Sequence, residues 1–348
     1  MTVTELMKQI EERLTGDLPQ DMNYLSSLSQ ELRREENAEE LLEAIAEKAY
    51  SIMPEEQRAE FTEMTFLNGK RLDQVFAQAL KLVNDGKMQE AETLLAGLSD
   101  KIAAHYEDAK PRLFSFRNPF EYHMYRFYYP NDTDFDRAPF DFAHYLQLYG
   151  YVLLDNKKLD EAEQALERAI RFNPVSADVR FEMAELCKLR RDGKKLLAVN
   201  QDTLRFCTSA ERIARVLANM GFYCYYVGDF YEAAVFYFES LRFYGSKPVE
   251  IELQDVMRHM KTYGQKFAPP TEGQTLDVYR KYGLQPPPNS DLVNLAVTLA
   301  DSAQEYGKPE LEGLFTRVAF DLTNNPEFRE RLAAVDRKVQ EAKEKGES

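Results

Sequence analysis

At 348 residues the chain exceeds the ~250–300 at which a single hydrophobic core stops growing, so it forms either two domains or one elongated array. A hydrophobic fraction of 44% excludes a disordered chain despite 30% charged residues, and 15 Gly with 15 Pro, clustered at a few junctions, supply too few turns for an all-β architecture. The formal charge of −15 is concentrated in residues 1–66, where 16 acidic side chains face 6 basic ones, and such a surface repels nucleic acid and anionic membrane.

Residues 1–30 carry Glu5, Glu11, Glu12, Asp17 and Asp21 in place of a cationic start and an apolar run, so no secretory signal is expected. No stretch approaches ~18 uninterrupted apolar residues, so no bilayer span is expected either. Cys187, Cys207 and Cys224 form no CxxC pair, which suits a reducing compartment and predicts a cytoplasmic protein.

In the acidic region 1–66, helices are predicted near 4–15, 21–35, 38–52 and 55–66, from spacings such as Leu25, Leu28, Leu32 and Leu41, Ile45, Ala49, with Pro54 opening the last. Residues 67–108 read as a degenerate helix pair. Residues 109–141 form an insert in which Phe114, Phe116, Phe120, Tyr122, Tyr125, Phe127, Tyr128 and Tyr129 crowd together. Prolines 111, 119, 130 and 139 divide it into a loop, a short helix near 119–128 and another loop. So many rings in water would invite aggregation, so the insert is expected to pack along the rest of the chain.

Two later segments repeat at a spacing of 71 residues. Gly150, Ala162, Ala169 and Pro174 precede Gly221, Ala233, Ser240 and Gly245, and LDEAEQALERAIRF (159–172) matches FYEAAVFYFESLRF (230–243). By these residues the segment resembles the tetratricopeptide repeat, a unit of 34 residues built as a helix hairpin. Small side chains recur where two antiparallel helices must approach closely, while large ones such as Leu146, Leu153 and Leu166 fill the space around them. Units start at Ala143, Ala177 and Ala214, and the faint copy at 72–108 shares Ala79, Gly86, Met88, Ala91 and Leu95. In the middle unit Leu196 and Thr203 replace the two alanines, which predicts a more loosely packed second helix. A helix at 249–262 is expected to cap the array, completing a repeat region over 142–262. The Pro- and Gly-rich stretch 263–289 reads as a linker holding one short helix near 273–282. Residues 290–348 read as a terminal three-helix unit ending in a charged tail.

The resemblance implies an all-α fold, a right-handed solenoid of tetratricopeptide-type helix pairs with flanking helical segments. The order of acidic helices, faint repeat, FRNPFEY (116–122) and strong repeats is also similar to uncharacterised bacterial tetratricopeptide proteins, a likeness that brings no function with it. Arrays of this kind hold peptides on a concave face made by the first helix of each pair. The face implied here comprises His144, Gln147 and Tyr151, then Phe181, Glu185 and Lys188, then Arg215, Phe222, Tyr225 and Tyr226, beside Leu154, Asp155, Asp178, Leu189 and Ala218. Its aromatic residues suit peptide anchors, provided that other segments of the chain do not already cover them. The family's clamp for carboxylate tails needs Lys and Asn donors, whereas Tyr151, Glu185 and Phe222 stand at one of its positions, so that ligand is not expected.

No GxGxxG, phosphate loop, HExxH, GxSxG or EF-hand loop occurs, and Asn68-Gly69-Lys70 lacks the upstream glycine. His105, His123, His144 and His259 lie on separate elements, and His144 alone falls on the implied face. Cys187 and Cys224 point into helix-pair cores as small hydrophobes. Asp132, Asp134 and Asp136 lack the glycine and glutamate of a calcium loop and read as a solvated turn. The basic run Lys188, Arg190, Arg191, Lys194 and Lys195, broken by Asp192, reads as a solvated helix end. A non-catalytic scaffold or adaptor for a protein or peptide partner is therefore expected, with no cofactor and no metal. The alternative is a peptide-sensing regulator that signals through the amino-terminal helices.

Overall fold

The structure, a computed structural model, describes residues 1–32 and 37–344; the side chains of residues 39 and 342–344 fall outside that description. The predicted end of the second helix at 33–35 and the charged tail at 345–348 lie outside the described residues. The chain divides into two compact units, Met1–Leu72 and Asp73–Glu344.

In the first unit, α1 (Val3–Arg13), α2 (Leu18–Glu31) and α3 (Ala38–Ile52) pack together, and α4 (Glu55–Thr65) follows. Thr2 and Glu5 form a reciprocal capping box at the start of α1, and the Asp17 side chain caps α2. Leu6, Ile10, Leu25, Leu28, Leu41 and Ile45 are buried together, as their helical spacing predicts. Asp21 is buried where it accepts from Thr15 N–H and Oγ1 and from Gly16 N–H, which holds the carboxyl below its usual range and fixes the turn between α1 and α2. The short strands β1 (Phe66–Leu67) and β2 (Lys70–Arg71) then pair antiparallel around Asn68 and Gly69, both at positive φ. Asn-Gly is the dipeptide that a two-residue hairpin turn favours.

Helix α5 (Leu72–Asn84) enters the second unit at Asp73 and is followed by α6 (Met88–His105), β3 (Arg112–Phe114), α7 (Pro119–Tyr128) and β4 (Phe135–Arg137). Six helices follow in three hairpins: α8 (Phe142–Asp155) with α9 (Leu159–Phe172), α10 (Ala177–Arg190) with α11 (Gly193–Leu204), and α12 (Ala210–Val227) with α13 (Phe230–Phe243). The described residues end with α14 (Lys247–Thr262), α15 (Glu272–Lys281), α16 (Ser290–Glu305), α17 (Pro309–Thr323) and α18 (Pro326–Glu344).

One turn recurs between consecutive helices. Gly86, Lys157, Arg191, Gly228 and Gly307 are left-handed, and after each the next N–H reaches back to a carbonyl of the preceding helix, as from Lys158 to Leu153 or Asp229 to Cys224. Seven residues before each turn stands a small residue: Ala79, Gly150, Ala184, Gly221 and Ala300. Five residues after it stands a buried one: Ala91, Ala162, Leu196, Ala233 and Glu312. This common frame, with α9 packed on α10 and α11 on α12, makes the second unit an all-α solenoid of tetratricopeptide-type helix pairs.

The frame also extends to α16 and α17, which the sequence showed only as two helices of a terminal unit. There a glutamate replaces alanine at the crossing: Glu312 is buried and accepts from Arg331 Nε of α18 at 3.0 Å. In the middle hairpin Leu196 and Thr203 are both buried, so larger side chains fill the crossing that alanines fill elsewhere.

The insert packs on the array. Phe114, Phe120 and Tyr125 are buried, Ser115 N–H donates to Phe172 O, and Ser115 Oγ accepts from Ala143 N–H at the start of α8. Strands β3 and β4 run parallel and had no signature in the sequence. Helix α14 packs on α13. The stretch predicted as a linker is instead packed: Tyr279, Tyr282 and Leu284 are buried in the main core, and Gln201 Nε2 donates to Tyr282 O. Phe315 of α17 lies against Phe120 and His123 of the insert, so the terminal hairpin joins the same body. Among the described residues no helix is long and apolar enough to cross a membrane.

Candidate functional site

The face implied by the sequence lies on α8, α10 and α12, and the structure divides it. Towards the amino-terminal ends of these helices the chain itself occupies it. His144 meets the Phe76 ring at 4.8 Å, and burial together with the nearby Arg117 cation holds its imidazole below the usual pKa. Gln147 Oε1 accepts from Arg117 Nη2 at 2.6 Å. The Asp178 carboxylate takes Arg117 Nη1 at 3.1 Å and both Nε and Nη2 of Arg212, at 3.0 and 2.8 Å. Burial opposes ionisation of Asp178, but the two guanidinium groups outweigh it and hold the carboxyl below its ordinary value. Phe181 departs from expectation: it is 2% exposed, with the Arg215 guanidinium 4.4 Å over its ring, and it offers no surface to a ligand. Arg215 also approaches Glu182 at 3.9 Å, where burial raises the carboxyl's pKa.

Towards the carboxyl-terminal ends the same helices carry large exposed side chains. Tyr151 is 41% exposed, Leu189 48%, Tyr225 40% and Tyr226 50%. Tyr226 donates its hydroxyl to Arg191 O at 3.3 Å, and Tyr225 packs edge-on against His259 of α14. Between them lies a polar chain in which Lys188 Nζ donates to Glu185 at 2.9 Å and to Asn219 Oδ1 at 2.6 Å while standing 5.4 Å from the centre of the Phe222 ring. Asn219 in turn donates to Asn200, which is fully buried. Phe222 packs partly buried against Ala184, Cys187 and Leu196.

Arg117, Arg212, Asn200 and Asn219 were not singled out from the sequence. Asn200 had a signal, because it stands where the flanking hairpins place Leu166 and Tyr237, and a polar residue at a core position implies a partner. Arg117 had none, since its partners lie 30 and 61 residues away.

The other candidates resolve locally. Cys187 and Cys224 are buried, and burial pushes their thiols up to about 11 and about 12, so they remain protonated. Asp132 accepts from the Tyr125 hydroxyl and pairs with Arg112, whose cation offsets its charge, and no metal-like cluster of His, Cys, Asp and Glu occurs among the described residues. In the basic run, Arg190 pairs with Asp160 and Glu163, and Lys195 with Glu163, so these cations join α10 and α11 to α9.

No family model matches the chain, and no curated protein matches it. A solved structure described as a functional characterisation of Pseudomonas aeruginosa pilF is similar over 76% of this chain and 96% of its own, at 12% identity and a TM-score of 0.41.

Proposed function

We propose that the protein is a non-catalytic scaffold or adaptor that holds a peptide segment of a partner protein on the open part of the first-helix face. Tyr151, Leu189, Tyr225 and Tyr226 would supply anchors, and Glu185 and Lys188 the polar contacts beside them. One observation carries this reading. Four large apolar or aromatic side chains stay 40–50% exposed on helices whose other ends are closed by Arg117 and Arg212. Tyrosine combines a large contact area with few rotors and a polar tip, which suits a recognition surface.

The test is a pull-down from native cells with the intact chain and with a Tyr151→Ala/Leu189→Ala/Tyr226→Ala variant. The variant is expected to melt like the parent and to lose the recovered partner. Equal recovery by both proteins overturns the proposal.

A further inference from the structure

A cavity of about 620 Å³ lies between the end of α13, helix α15 and the prolines at 286–287, on elements outside the first-helix face. Its volume falls in the range of pockets that hold small molecules. Two polar groups in its wall are buried and under-satisfied. Glu239 is 5% exposed, and among the described residues its carboxylate takes bonds from one nitrogen of Arg242, at 2.9 and 3.1 Å, while Arg242 stands largely in solvent. A carboxylate has about four acceptor sites, so half remain open. Tyr279 is 3% exposed and its hydroxyl has no hydrogen-bond partner. Burial and the nearby Glu239 charge both raise the phenol's pKa, so it stays neutral. Glu272 adds a second carboxylate at the start of α15, leaving the lining with one negative charge in excess, and Phe243 and Leu276 supply apolar wall.

We propose that this cavity binds a small organic cation, a protonated primary amine on an apolar stem. The ammonium donates to the open sites of Glu239, and the stem lies against Phe243 and Leu276. An anion would face two carboxylates, and a neutral alcohol would leave the charge excess uncompensated.

Isothermal titration calorimetry of the intact chain with n-butylamine, n-butanol and butyrate tests this. Saturable one-to-one binding of butylammonium is expected, in the millimolar range suited to so few heavy atoms, with no saturation by the other two. Glu239→Gln should weaken it about tenfold or more. Glu272→Gln removes the second carboxylate of the lining at an exposed position, so it should weaken binding severalfold without lowering the melting temperature. Absence of saturable amine binding, or butyrate binding as tight as the amine, overturns the proposal. Unchanged affinity in Glu239→Gln does so too, and if that variant fails to fold, unchanged affinity in Glu272→Gln decides in its place.

Discussion

Tyr237 closes over Gly221: a Cβ placed on that glycine would come within 2.8 Å of three atoms of the buried tyrosine ring. The same relationship holds 71 residues earlier, where a Cβ on Gly150 would meet Leu166 Cδ2 at 2.6 Å. In both hairpins the side chain of the second helix occupies the space that the first helix leaves empty.

Substitution at Gly221 should therefore overpack the crossing. Gly221→Ala is expected to cost about 1–3 kcal/mol, and Gly221→Val more, in urea denaturation. Gly150→Ala should cost less, because an aliphatic side chain yields more readily than a ring. A Gly221→Val protein as stable as the parent would show that the helices do not cross there.

Glu312 is held within the terminal hairpin by Arg331, with Lys338 at 3.8 Å. Arg331→Met leaves the carboxylate with that distant cation alone, and a loss of about 3 kcal/mol is expected, as when one partner of a buried pair is removed. Glu312→Ala restores the residue that Ala91, Ala162 and Ala233 provide at the equivalent place, so Glu312→Ala combined with Arg331→Met should recover most of the loss. A double variant as unstable as Arg331→Met would refute the pairing.

The insert should behave as part of the solenoid. Limited proteolysis of the parent is expected to spare residues 112–137. Phe120→Ala, which empties a fully buried site, should cost about 3–5 kcal/mol and expose that segment to cleavage. Rapid cutting inside 112–137 of otherwise intact parent would contradict the packing.

Carboxyl groups of two kinds set the acid response. Hydrogen bonds from Lys195 and then Arg190 hold Glu163 below its ordinary value, and bonds from Tyr125 and Arg112 do the same for Asp132. Their stabilisation is complete above the unfolded pKa near 4 and is lost as pH falls through the folded values. Burial raises Glu121 and Glu182, which have the opposite effect: the stability they permit is full below the unfolded pKa and declines as pH rises through the folded values. Urea midpoints should pass through a shallow maximum between about pH 4 and 6 and fall steeply below it. A midpoint that is level from neutrality to pH 3 would contradict this assignment.

The sequence by itself determined the hairpins. Their crossings are marked by small residues at fixed offsets from a left-handed turn, a relationship local enough to read between Gly150 and Ala162 or Gly221 and Ala233. It did not reveal the hairpin of α16 and α17, because Glu312 hides the expected alanine and its compensation by Arg331 lies on another helix. Tertiary structure alone decided which part of the first-helix face is open. Arg117 reaches Gln147 and Asp178 across a loop, and Arg215 covers Phe181, so residues alike in sequence position differ in exposure. It also decided that Tyr279 and Tyr282 pack in the core instead of lying in a free tether. Proline and glycine report where a helix must stop, and contacts between residues distant in sequence determine what the intervening chain touches.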